Sequence, residues 1–185
     1  MKHLFLTLFV LATGFGLVAF VRADSKPATD PYSPGAEHAV LQKVVGTWQA
    51  EIVSKGQGGK ETRTPGVLTT TAHAGFHTVD SFESMFMGQK FQGHGINGYC
   101  TVRKQYFTYW TDSMTSSPLV AYGNYDAMKK ELELKGECLG LSGKLEPCRI
   151  VTHFVDDDHR TFALYGAGTD GKEFEQLKIE YTRKR

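Results

Sequence analysis

"GHGINGYCTVRKQYFTYW", residues 93–110, opens on the spacing G-x-G-x-x-G that cradles phosphate in dinucleotide-binding enzymes, and its second half decides whether it does so here. The chemistry needs a helix opening at the third glycine, so that free amides at the helix N-terminus face a pyrophosphate. The segment after Gly98 is instead rich in Tyr, Phe, Thr and Trp and carries no apolar stripe of helical period. Such a composition favours a strand. The nucleotide reading is therefore rejected, and Asn97-Gly98, a preferred hairpin dipeptide, is expected to turn the chain. Gly93 and Gly95 stand two apart and leave one strand face bare, which predicts a sharp bend or a group packed closely against them.

Outward from this stretch the period stays at two from Val44 to the C-terminus. Turn signals recur at Gly56 to Gly59, Ala74-Gly75, Met87-Gly88, Asn97-Gly98, Ser116 to Pro118, Asp126-Ala127, Ser142-Gly143, Asp156 to Asp158 and Asp170-Gly171. About ten strands lie between them. No second long helical pattern interrupts the run, so parallel crossovers have nowhere to form. The expected fold is all-β, an antiparallel meander that closes into a barrel and so removes its edges. One short helix precedes it: Ser33 is placed to cap, Pro34 to start, and Ala36, Val40 and Val44 give an apolar face through about Lys43.

The N-terminus reads as a secretory leader, residues 1–23: Lys2 and His3, an apolar run from Leu4 to Val21, then Val21-Arg22-Ala23 at a peptidase site. A retained anchor is the alternative, since eighteen residues is at the short edge of a spanning helix. Residues 24–33 are polar and expected to form a loose arm, leaving 34–185 as a single domain. Losing Lys2 and Arg22 reduces the 21 Lys and Arg to 19, against 20 Asp and Glu, for a net charge of −1. That balance, without a basic cluster, excludes the electrostatic footprint of a nucleic-acid binder. The expected location is secreted or periplasmic, with no membrane association once the leader is removed. Nothing in the sequence sets an oligomeric state.

Three cysteines remain in what would be an oxidising compartment. Cys138 and Cys148 are symmetric about Gly143, so a hairpin turning at Ser142-Gly143 would set them opposite each other and suit a disulfide. Cys100 is left over. No cysteine or histidine spacing suits zinc, and no metal or cofactor is expected.

The first strand carries Val45-Gly46-Thr47-Trp48 and the last Tyr181-Thr182-Arg183. A Gly-x-Trp after a short helix, with an Arg in the final strand, resembles the calycins, the lipocalin and fatty-acid-binding barrels. That resemblance implies Arg183 stacked on the Trp48 indole at the closed end of the barrel. "PGAEHAVLQKVVGTW" (34–48), "GQKFQGHGINGY" (88–99), "YWTDSM" (109–114), "VDDDHRTFALY" (155–165) and "DGKEFEQLKIEYTRK" (170–184) are similar to a bacterial family catalogued as domain of unknown function 1579. The family resemblance covers nearly all of the chain after the leader; it implies a calycin-like barrel and no established activity.

Among residues able to carry chemistry, Asp156-Asp157-Asp158-His159 reads as a solvated turn, and His73 and His77, four apart on a strand, as too distant to share a metal. His94 and His153 lie in expected strands and are candidates to face the interior. Asp112 shares parity with Trp110, Thr108 and Tyr106, which makes it an inward carboxylate if that face lines the barrel. There is no nucleophile elbow. The leading expectation is a barrel binding a small, mostly apolar molecule through Phe91, His94, Tyr109, Trp110, Asp112 and Tyr165, a set that spans both strand faces. Two alternatives stand beside it: an enzyme using Asp112 or His94 as acid/base, and an envelope interaction module whose barrel is packed solid.

Overall fold

The computed structural model describes residues 30–55, 61–86, 88–140, 142–168 and 171–185. The leader at 1–23 and residues 24–29 of the arm lie outside them. Among the described residues one helix, α1 (His38–Gln42), precedes ten strands: β1 (Gly46–Lys55), β2 (Glu61–His73), β3 (His77–Phe86), β4 (Gln89–Cys100), β5 (Gln105–Asp112), β6 (Leu119–Asp126), β7 (Glu131–Leu139), β8 (Leu145–Phe154), β9 (His159–Ala167) and β10 (Glu173–Arg183). Each strand pairs antiparallel with its sequence neighbour, and β1 pairs with β10 to close the barrel. Closure satisfies the ladder groups that an open meander would leave on its edges.

α1 is shorter than the 34–43 span expected. Ser33 does not cap it; the Ser33 hydroxyl donates to Asp30 Oδ2 at 2.7 Å, and the backbone of Tyr32 donates to Asp30 Oδ1 at 3.0 Å. Asp30 thus winds residues 30–33 into a side-chain-held turn. The Gly35 amide then donates to His38 Nδ1 at 2.9 Å, which delays regular helix until His38. What matters for the barrel is that α1 lies across one end of it. Leu41 is buried against Tyr106, Ala121, Leu134 and Ile150, and the Tyr106 hydroxyl donates to the Glu37 carbonyl at 2.8 Å.

Arg183 secures the same end. Its guanidinium donates from Nη2 to the Lys43 carbonyl at 2.8 Å, from Nη1 to Val45 at 2.7 Å and from Nε to Asp157 at 2.9 Å. Its carbon lies 4.1 Å from the centre of the Trp48 ring, and the indole Nε1–H donates to the Val44 carbonyl at 2.8 Å. One cation therefore pins the segment after α1, the 155–158 turn and the last strand to a buried aromatic ring.

Three sequence expectations are corrected by the register. Asn97-Gly98 does not turn the chain: β4 runs through it, and the turn falls at 101–104, where Lys104 takes a positive φ of 55°. Asn97 is held in the strand because its side chain points inward and bonds Asp80 and Thr108, while Phe107 and His77 pack against bare Gly98. His73 and His77 are not separated along one strand; the 74–76 turn pairs them across the β2–β3 hairpin with ring centres 6.5 Å apart. Burial, with His73 and His38 beside it, holds the His77 ring below the usual histidine range.

The third correction concerns the cysteines. The β7–β8 register pairs Cys138 with Glu146 and Gly136 with Cys148, so the two thiols are offset by two residues instead of opposed. Diagonal neighbours in a sheet lie about 7–8 Å apart, beyond the roughly 4.4–6.8 Å between Cα atoms that a disulfide spans. Both are buried free thiols, and burial, with Cys138 adjoining, pushes Cys148 up to about 12. Alkylation in denaturant is expected to add the same mass with and without prior reduction. A mass gain that requires reductant would show a bridge and contradict this register.

Candidate functional site

Alternation along the strands decides which side chains meet inside the barrel. Two buried apolar clusters result. One holds Trp48, Ala50, Leu68, Phe82, Ile179 and Tyr181; the other holds Leu41, Tyr106, Ala121, Leu134 and Ile150 under α1. Phe162 packs against both. A layer of polar side chains lies with them: the Thr70 hydroxyl donates to Asp80 Oδ1 at 2.6 Å, Asn97 Nδ2 donates to Asp80 Oδ2 at 2.8 Å, and the Thr108 hydroxyl donates to Asn97 Oδ1 at 2.8 Å. These groups come from β2, β3, β4 and β5, and each bond offsets part of the cost of taking a polar group out of water.

A cavity of about 100 Å³ opens in this layer, largely enclosed, with Leu68, Trp110, Leu134 and Phe162 among its apolar walls. Val40 and Leu41 of α1 close it on one side. Asp80, Asn97, Arg160 and Tyr181 supply its polar surface. Arg160 is the least ordinary of them. Only 9% of it is exposed. Its guanidinium carbon stacks 4.7 Å from the Trp48 ring centre and 4.6 Å from that of Tyr181. Nε and Nη2 are both buried without a hydrogen-bond partner. Burial works against its charge and Asp80 favours it; a guanidinium nevertheless remains protonated in a protein. The same burial pushes the Tyr181 hydroxyl above its ordinary range.

The expected pocket residues divide by strand face. Phe91 points inward and packs on Phe82 at 5.9 Å between ring centres, and Trp110 lines the cavity. Asp112 is on the same side of β5 as Trp110 but serves at the end of the strand, accepting the indole Nε1–H at 3.0 Å and the Met114 amide at 2.8 Å. His94 and Tyr109 are on the outer face and exposed. Tyr165 is also outside, under the guanidinium of Arg149 at 4.2 Å, which in turn forks onto Glu173 at 2.9 and 2.6 Å. His153 faces outward as well, alternating with inward Thr152 and Phe154. The two acid/base candidates thus stand outside the cavity, one exposed and one tied into a rim contact. Among the described residues no three His, Cys, Asp or Glu side chains converge as a metal site.

Sequence reasoning missed Asp80, Asn97 and Arg160. The signal for Arg160 was its phase: in "HRTFAL" it alternates with Phe162 and Leu164, so a charge sits on the apolar face of a strand. Asp80 carries the same signal between Thr78 and Phe82. Neither stands near the other in sequence, and only closure of the barrel brings them to one cavity.

The bare face at Gly93 and Gly95 has its explanation here. A Cβ built on Gly93 would lie 2.1 Å from Trp110 Cζ2, and one on Gly95 3.1 Å from Trp110 Cε3. The indole lies across both glycines, so the motif that resembled a phosphate loop is a seat for an aromatic wall of the cavity.

Among solved structures the fold is similar to that of Rv2717c from M. tuberculosis, with a TM-score of 0.61 and 12% identity over 83% of this chain and 100% of that one. It is also similar to the S-type phycobiliprotein lyase CPES from Guillardia theta, with a TM-score of 0.50 and 10% identity over 82% of this chain and 99% of that one. At such identities the likeness concerns the fold alone. No curated protein matches the sequence. A family model spans nearly the whole barrel, residues 33–183, and the chain accordingly belongs to the family described as Protein of unknown function (DUF1579).

Proposed function

We propose that this protein is a small-molecule-binding barrel acting outside the cytoplasm after removal of residues 1–23. The observation that carries the binding reading is the largely enclosed cavity of about 100 Å³, which combines apolar walls with a charged pair, buried Arg160 and half-buried Asp80. Ligand sites are typically apolar enclosures with a few convergent polar groups. A barrel packed solid would have no reason to bury Arg160 with two unpartnered nitrogens beside an unfilled space, since buried charge costs several kcal/mol unless it is fully partnered (about 3–5 when a partner is missing). The location rests on the leader pattern of Lys2 through Ala23.

The size of the space limits the ligand. An aliphatic chain of lipid length does not fit inside the cavity, so the bound body is compact, with its apolar part against Leu134 and Phe162 and its polar part toward Arg160. A barrel of similar architecture occurs in a protein named as a phycobiliprotein lyase, which is consistent with a scaffold that handles ligands. Native mass spectrometry of the purified protein is expected to show a reproducible small adduct or to acquire one from a pool of short organic acids, amides and alcohols. Leu134→Trp, which fills the cavity, should abolish it. Bare protein for the parent under every condition would remove the reading.

A further inference from the structure

We infer, on the footing that the interior binds a ligand, that the cavity takes a small monocarboxylate whose two oxygens are received by the Nε–H and Nη2–H of Arg160. These two nitrogens form one edge of the guanidinium, with parallel donors at the spacing of carboxylate oxygens. In this structure that whole edge is buried and without a partner. An orphaned buried donor costs the full desolvation of the group, and more when it is charged. The Trp48 and Tyr181 rings lie 4.7 and 4.6 Å from the guanidinium carbon, and the unpartnered edge is what the group offers to a hydrogen-bonding ligand.

The surrounding charges narrow the class. Asp80 is the acid that faces Arg160, and its two oxygens are held by Thr70 and Asn97 rather than by the unpartnered edge. Its negative charge repels a dianion, so phosphate and sulfate fit poorly, while a planar monoanion pairs with Arg160 one to one. Arg183, the second cation near Arg160, adds to the attraction. The cavity of about 100 Å³ is smaller than the ~150 Å³ that admits benzene, which selects short acids.

Calorimetric titration of the purified protein with propanoate and butanoate, against propanamide and butanamide, tests the assignment. Each acid is expected to bind at least tenfold more tightly than its amide at matched pH and salt. Arg160→Lys keeps a positive charge but offers no two-donor edge, and should lose most of that preference. As this variant alters a buried site and could fail to fold, the parent protein provides a second readout: the ¹⁵Nε–H resonance of Arg160 should shift with butanoate and stay in place with butanamide. Equal binding of acids and amides, or an unmoved resonance under saturating acid, overturns the carboxylate assignment and leaves interior binding intact. Binding of neither class, with only water on the Arg160 edge, overturns both.

Discussion

Trp48→Ala is expected to destabilise the protein by about 3–5 kcal/mol, the range for deleting a fully buried large aromatic. For a chain of this size that corresponds to a fall in Tm of roughly 6–20 °C. The indole is 1% exposed. It contributes to three things at once: the packing of Ala50, Leu68 and Tyr181, the bond from Nε1–H to the Val44 carbonyl, and the aromatic surface under Arg183 and beside Arg160. Removing it leaves a cavity and withdraws a face from a buried guanidinium, whose charge has few other partners. Trp48→Phe keeps a ring and loses the Nε1–H, so its cost should be nearer ~1–2 kcal/mol. Urea unfolding of the two variants checks the ordering; a loss below about 1 kcal/mol for the alanine would show that the closed end is not held through this residue.

Gly93→Ala is expected to cost about 1–3 kcal/mol, the usual penalty for forcing a methyl into a packed interior. The new Cβ would stand 2.1 Å from Trp110 Cζ2 and 2.6 Å from Cη2. The ring has little freedom to yield, because its Nε1–H is held by Asp112 and Phe82 packs against it in a T-shaped contact, with ring centres 6.5 Å apart. Gly95→Ala supplies the contrast. Its nearest contacts are 3.1 Å to the ring and 3.4 Å to Asp80 Cβ, distances that a shift of a few tenths of an ångström relieves, so its cost should be smaller. Trp48 and Trp110 are the two tryptophans of the chain, and fluorescence of Trp48→Phe variants isolates Trp110. In that background Gly93→Ala should move the emission and Gly95→Ala should leave it nearly unchanged. Equal effects from both alanines would mean that the indole does not lie as described.

Strand face and strand register were legible to different degrees. Alternation told which residues share a face, so Trp110 and Asp112 were correctly grouped, as were Trp48 with Ala50 and Ile52. It did not tell which face is inside: Tyr109 and Tyr165 are as aromatic as Trp110, yet both lie outward on the barrel. An aromatic on the outer face of a strand can pack along its neighbours and under an arginine, so composition alone does not mark the interior. Register failed where a local signal met a stronger tertiary one. Asn97-Gly98 has turn chemistry, but the bonds of Asn97 to Asp80 and Thr108 are available only in an extended strand. At the cysteines a shift of the turn centre by one residue moved the pairing by two, because every residue added to one arm of a hairpin is taken from the other.

By itself the sequence determined the class of fold, since a sustained period of two with turn residues at short intervals can bury its apolar side only as an antiparallel sheet, and ten strands with no covering helices relieve their edges by closing. It also determined the bare seat at Gly93 and Gly95, because absence of a side chain is a property of the residue. Only the tertiary structure decided the site. Asp80 on β3 and Arg160 on β9 are brought to one cavity by closure through β1 and β10, and the exposed or buried state of a charge depends on what the rest of the chain places around it.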